Sequence, residues 1–158
     1  MTNNTKNITK YILIGITILA LILAVTNLLS LNKVTATMSY GSNKASESLS
    51  MGDLKKLMGD SAIPSTLGNI AFGIFSLVVA ATGIMHYNKQ DNGGKRYVFR
   101  MGVLGAVGAV LQIVMYTLCT SSGMGMKLTI SPNWTTYFAL VVFVGCAVAD
   151  KFYLRKMN

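Results

Sequence analysis

Apolar residues in this chain fall into four long runs separated by short polar segments. Four stretches contain no Asp, Glu, Lys or Arg: 11–32 (22 residues), 61–88 (28), 101–126 (26) and 128–149 (22). A helix needs about 20 apolar residues to cross the hydrocarbon core of a bilayer, so each run predicts one span. The spans are placed at 11–31, 67–87, 101–120 and 134–154. The fourth has a short apolar core, 134–149, and continues to Leu154 with Asp150 and Lys151 at the boundary. The expected fold is all-α, a polytopic integral membrane protein with four transmembrane helices.

Inside the spans a finer pattern recurs. Along the third, Gly102, Gly105, Ala109, Gln112, Tyr116 and Cys119 follow at steps of three or four, and Val103, Leu104, Val107, Val110, Leu111, Val114 and Leu118 lie opposite. The second repeats it with Asn69, Gly73, Ser76, Ala80 and Gly83, and the first with Thr17, Ala20, Ala24 and Asn27. The fourth is weaker, with Ala139, Cys146, Ala149 and a Gly145-x-x-x-Ala149 pair. Membrane helices associate through close contact at small residues and through interhelical hydrogen bonds. The small and polar stripes are therefore expected to face other helices and the aliphatic sides to face lipid. Their 3.5-residue step predicts a left-handed bundle. If Tyr87 and Met101 are level at the end of a hairpin, Gly83 meets Gly105, Ala80 meets Ala109, Ser76 meets Gln112 and Gly73 meets Tyr116. A Ser76–Gln112 hydrogen bond is expected there, contributing roughly 0.6–2 kcal/mol.

Residues 32–66 form an exterior loop rich in Ser, Thr, Gly and Asn. Within it, 50–59 predicts a short amphipathic helix capped by Ser50 and Asp53, with Met51, Leu54, Leu57 and Met58 on one face. That face is expected to rest on the outer leaflet or on a partner, and Ile63-Pro64-Ser65 to end the helix and begin the second span. Residues 88–100 form a basic turn around Asp91-Asn92-Gly93-Gly94. Residues 121–133 form the second exterior loop, with Ser131 as N-cap and Pro132 as first residue of the fourth helix.

Composition agrees: 52% of residues are hydrophobic and 12% charged, against about 25% charged in soluble domains. The net charge of +9 changes the picture only through its distribution. Lys33, Lys44, Lys55, Lys56 and Lys127 fall on one side of the spans. Lys6, Lys10, Lys89, Lys95, Arg96, Arg100, Lys151, Arg155 and Lys156 fall on the other. The positive-inside rule then places both termini, 1–10 and 155–158, in the cytoplasm, in a bacterial-type plasma (inner) membrane. Tyr11, Tyr87, Tyr97, Phe99, Phe152 and Tyr153 mark the inner interface, and Tyr116, Trp134 and Tyr137 the outer one. The basic residues sit at the ends of apolar runs instead of on one aromatic-studded face, so no nucleic-acid partner is expected.

The first span also has a signal-peptide reading, with Lys6 and Lys10 before it and Val34-Thr35-Ala36 as a cleavage site. Its 21-residue apolar run exceeds the usual h-region of about 7–15, and a retained anchor is expected.

Reactive chemistry is sparse. No Asp, Glu, Lys, Arg or His lies in the apolar core of any span, which argues against a coupled transporter or proton relay. His86 and Asp150 sit at inner boundaries, where packing and ion pairing account for them. No phosphate loop, nucleophile elbow, zinc-protease motif or dinucleotide fingerprint occurs. Cys119 and Cys146 lack CxxC spacing and belong to opposite membrane faces. Met124 and Met126 beside Cys119 invite a Cu(I) site, but scattered methionines are expected to be packing. No catalytic, cofactor or metal residues are assigned, and membrane lipid is the one expected non-protein component.

The layout resembles that of many small four-span proteins, without the Trp and Cys loop motif of claudins. Over about residues 48–120, the order of amphipathic helix, apolar helix, basic Gly-containing turn and small-residue-rich helix is similar to type IV secretion and conjugation pilins. The likeness is one of pattern, not of signature residues, and the fourth span and retained first span depart from it. The leading expectation is a non-enzymatic membrane protein that works by helix–helix association, as a homo-oligomer or with other membrane-protein subunits. The alternatives are an oligomeric channel lined by Thr17, Asn27, Asn69, Ser76 and Gln112, and a pilin-like subunit after cleavage near Ala36.

Overall fold

A computed structural model describes residues 3–87, 94–123 and 126–154. In chain order its elements are helix α1 (Asn3–Leu28), strands β1 (Lys33–Tyr40) and β2 (Asn43–Ser50), short helix α2 (Met51–Met58), helices α3 (Ile63–Tyr87) and α4 (Gly94–Thr117), strands β3 (Thr120–Gly123) and β4 (Met126–Pro132), and helix α5 (Trp134–Ala149). Helices α1, α3, α4 and α5 belong to four segments long and apolar enough to cross a membrane. A π-helical turn, Asp150–Leu154, extends α5. The turn 91–94, Met124 and the basic tail 155–158 lie at least partly outside the described residues.

Successive long helices pack antiparallel, α1 on α3, α3 on α4 and α4 on α5, while α1 and α5 barely touch. The small residues sit at the seams. A side chain on Gly83 would strike Thr17, one on Gly108 would strike Phe75, and one on Gly105 would lie 2.5 Å from the ring of Phe143. Glycine at these positions lets the helices approach closely, which supplies much of the attraction between helices in lipid.

The expected all-α fold needs correcting at the other end of the chain's connections. Residues 33–50, 120–123 and 126–132, expected as loop except for Ser50 in the amphipathic helix and Thr120 in the third span, form a four-stranded antiparallel sheet in the order β2-β1-β4-β3. The cause is visible in β1. Val34, Ala36, Met38 and Tyr40 alternate with Thr35, Thr37 and Ser39, the period-2 pattern of a strand with one apolar face. Gly41, at φ +56°, opens the two-residue turn into β2, a conformation that hairpin turns demand and that glycine adopts freely. β1 then pairs with β4, Ala36 opposite Ile130, so the two connections at this end of the bundle become one sheet.

Helix boundaries also shift. α1 begins eight residues ahead of the expected 11–31 span and stops three residues short of its end, and its last turn closes through Ser30 at φ +52°, with Leu31 N–H donating to Thr26 O at 2.9 Å. α4 starts at Gly94, seven residues before the expected Met101, because the charged residues of its first turn can sit at the membrane boundary while remaining helical. α5 is capped by Asn133, whose Oδ1 accepts from Trp134 N–H at 2.7 Å. Ser131 and Pro132, expected to cap and open it, instead finish β4.

α2 forms where its cap was expected. Asp53 N–H donates to Ser50 Oγ at 3.1 Å, and that hydroxyl donates to Asp53 Oδ2 at 2.6 Å. Met51 and Leu54 are buried beneath the sheet with Val34, Ala36, Ala62, Tyr116, Cys119 and Ile130, and Met58 packs at the edge. Leu57, assigned to the same face, is 51% exposed, because an eight-residue helix cannot turn all four side chains to a single contact. A 3-10 turn, Gly59–Ala62, leads into α3, which accepts Pro64 in its first turn, where no intrahelical N–H is needed.

Candidate functional site

Every stripe residue of the first three spans except Thr17, which is half-buried, is fully buried within this one chain: Ala20, Ala24 and Asn27 on α1, Asn69, Gly73, Ser76, Ala80 and Gly83 on α3, and Gly102, Gly105, Ala109, Gln112 and Tyr116 on α4. Val103, Val107, Val110, Val114 and Leu118 face outward. On α5 the buried line is Thr136, Ala139, Phe143 and Ala147. Gly145 faces open space, so the Gly145–Ala149 pair is no seam within the chain.

At the sheet end of the bundle the polar members of these stripes join. Gln112 Nε2 donates to Asn27 Oδ1 at 2.8 Å and to Asn69 Oδ1 at 2.6 Å. Thr136 Oγ1 donates to Gln112 Oε1 at 2.9 Å. The Tyr116 hydroxyl donates to Asn69 Oδ1 at 2.8 Å, with Met51 Sδ at 3.6 Å. Asn32 Nδ2 donates to Asn27 Oδ1 at 2.7 Å, and Asn27 Nδ2 donates back to Leu23 O at 2.7 Å. One glutamine thus ties α4 to α1, α3 and α5, and Tyr116 carries the network to α2 beneath the sheet. Every member is neutral, and the cluster fixes helix positions through hydrogen bonds between helices.

The expected Ser76–Gln112 bond is absent. Gln112 pairs with Asn69, two turns along α3, and among the described residues Ser76 Oγ and Asn69 Nδ2 have no hydrogen-bond partner. The error lies in the assumed level of the helix ends. His86 stacks on Tyr97 with ring centroids 3.3 Å apart, so the end of α3 is level with Tyr97, not with Met101. Gly83 accordingly lies against Met101 and Gly108 against Phe75, one turn or more from the expected partners.

The sheet has two unlike halves. Near the bundle, Val34 and Ala36 of β1 are 1% and 3% exposed. On the same face farther out, Met38 and Tyr40 are 48% and 62% exposed, and their cross-strand partners are Leu128 and Met126. The apolar face of the sheet therefore runs past the helices that support it. β2 forms one edge of that sheet, and seven of its eight residues are exposed.

At the opposite end, Lys10 Nζ lies 5.0 Å from the Tyr87 ring centroid and Lys151 Nζ 5.7 Å from that of Phe152. Asp150 is fully buried there. Cys119 is buried at the sheet end, where its sulfur accepts from Ser65 N–H at 3.1 Å, and Cys146 lies partway down α5. Among the described residues no group of three His, Cys, Asp or Glu side chains comes together.

Asn32, Thr136 and the outer half of β1 were missed by the sequence reading. Thr136 stands three residues before Ala139, on the same helical face, and the alternation of β1 was open to inspection. Compared with protein-family models, curated proteins and solved structures, the chain matches none.

Proposed function

We propose that this chain is a non-enzymatic four-span membrane protein that works by association, as a subunit of a membrane assembly or as a homo-oligomer. The associating surface in this reading is the outer part of the sheet instead of the helix stripes. The observation that carries it is the overhanging apolar face: Met38 and Tyr40 continue a buried row into open solvent. Burying large apolar side chains is worth roughly 1.5–3 kcal/mol each, and exposed apolar patches mark interaction sites. The β2 edge beside it adds unpaired backbone groups of the kind that accept a further strand.

The stripes, expected to face other helices, are occupied by the bundle itself, which removes them as the associating surface. It also weighs against an oligomeric channel, because Asn27, Asn69, Ser76 and Gln112 are buried between helices of one chain. A pilin-like product would require cutting near Ala36, in a strand paired on both sides. The bundle is proposed to be left-handed and to lie in a bacterial-type plasma membrane. Both termini are cytoplasmic and the sheet is outside, as nine basic residues against five imply.

Native mass spectrometry of the purified full chain, in detergent and in lipid nanodiscs, tests the association. Wild type is expected as an oligomer or with a co-purifying membrane protein, and a Met38→Ser/Tyr40→Ser variant as a folded monomer by circular dichroism. Wild-type monomers without partner in both media overturn the reading.

A further inference from the structure

The end of the bundle opposite the sheet holds a feature that the association reading leaves unused. Between α4 and α5 a groove of about 550 Å³ opens sideways. Its lining includes the small residues Gly102, Ala106 and Ala147, and toward the sheet it reaches Leu111 and Leu140. The floor is low because Gly102 lets the α5 backbone approach, with Phe143 O 2.6 Å from where a Cβ would stand. From Phe99 to Leu111 the groove follows α4 for twelve residues, about 18 Å at 1.5 Å per residue. One leaflet of a bilayer core is about 15 Å deep. An extended hydrocarbon chain of one leaflet therefore fits its length, and its lining is almost wholly apolar.

The mouth differs from the floor. Lys151 lines it, with its ammonium above the ring of Phe152. Lys151 is exposed, whereas the neighbouring carboxylate of Asp150 is fully buried, so the surface at the mouth is cationic. The same layout recurs in a smaller groove of about 310 Å³ between α1 and α3, lined by Leu13, Thr17 and Gly83. Tyr87 closes its mouth and carries the ammonium of Lys10 above its ring. Both grooves thus combine an apolar slot in the membrane with a lysine held by an aromatic ring at the boundary.

We propose that the α4–α5 groove is a binding site for an anionic phospholipid, with one acyl chain along Gly102, Ala106 and Ala147 and the phosphate at Lys151. The occupant is a lipid and not a protein helix, because the slot is little longer than one leaflet and stops short of the sheet end of α4. The charge at the mouth selects an anionic headgroup over a zwitterionic one. A basic side chain near an anionic membrane surface is worth about 1 kcal/mol, which corresponds to about a fivefold preference.

Native mass spectrometry of the detergent-purified full chain, titrated with phosphatidylglycerol or phosphatidylcholine of matched acyl chains, tests the site. Wild type is expected to retain phosphatidylglycerol about fivefold more strongly. Lys151→Gln is expected to lower that ratio, the Lys10 groove keeping its own preference, while still binding both lipids. Ala106→Leu, which raises the floor, is expected to weaken both, with helicity by circular dichroism confirming that the variant is folded. Equal retention of the two lipids by wild type, an unchanged ratio in Lys151→Gln, or undiminished binding in folded Ala106→Leu overturns the proposal. An Ala106→Leu chain that does not fold leaves the Lys151→Gln ratio as the deciding measurement.

Discussion

Gln112 Nε2 lies 2.6 Å from Asn69 Oδ1, and this pair sets the level of α4 against α3. Both side chains are fully buried, and their partners are other side chains. Removing one member therefore leaves donors and acceptors without replacement, and such orphaned groups cost more than the bond itself contributes.

Gln112→Leu is expected to lower unfolding stability by about 2–4 kcal/mol, since it strands the Thr136 hydroxyl and removes a donor from Asn27 and Asn69. Asn69→Leu is expected to act in the same direction through Tyr116. The double variant should cost less than the two singles together by about 0.6–1.7 kcal/mol, the range of interhelical hydrogen bonds in membranes. Denaturant or steric-trap unfolding in bicelles measures all three. Costs that add without coupling would remove the Gln112–Asn69 bond from the list of stabilising contacts.

A second prediction concerns the joint between sheet and bundle. Leu54 is fully buried between α2 and the sheet, in a cluster that also holds Val34, Ile130, Tyr116 and Cys119. Leu54→Ala opens a cavity there, at a cost of about 2–5 kcal/mol. The loss should be local, because the main core of the bundle is a separate cluster around Phe72, Val79 and Phe143. Hydrogen exchange is expected to accelerate in β1, β4 and α2 while amides in the middle of α3 and α4 keep their protection. Uniform acceleration throughout would mean that sheet and bundle unfold as one unit.

What could be read from the chain depended on how far apart the interacting residues lie. The burial of Ala80, Ala109 and Gln112 follows from the 3.5-residue stripe, which is local information. Ser50 and Asp53 revealed the cap of α2 for the same reason. The level of α4 against α3 was not legible, because it depends on how many residues of a basic first turn remain helical beyond the boundary. The β1–β4 pairing joins residues nearly a hundred positions apart, such as Val34 and Pro132. The strand alternation from Val34 to Tyr40 was nevertheless present. Ser, Thr and Gly between two apolar spans match loop composition and mask it, although Thr is a good strand former. The polar network was only half foreseen, since Thr136 lies outside the Ala139–Cys146–Ala149 line assigned to α5.

The last prediction concerns which way the bundle faces. α1 ends and α3 begins at the sheet, as α4 ends and α5 begins there, so one site on the sheet and one near the start of α1 report opposite faces. By sequence, nine of the fourteen Lys and Arg residues, including every Arg, fall on the side expected opposite the sheet, and such residues are retained in the cytoplasm. Ser48 on β2 and Asn7 on α1 are both exposed, and cysteine at either is open to a thiol reagent. The native Cys119 is fully buried and Cys146 partly so, which keeps the background low. Ser48→Cys is expected to react with a membrane-impermeant maleimide on intact cells. Asn7→Cys is expected to react only after permeabilisation. The reverse pattern would invert the bundle and place the overhanging Met38 and Tyr40 in the cytoplasm, and with them any partner that the sheet engages.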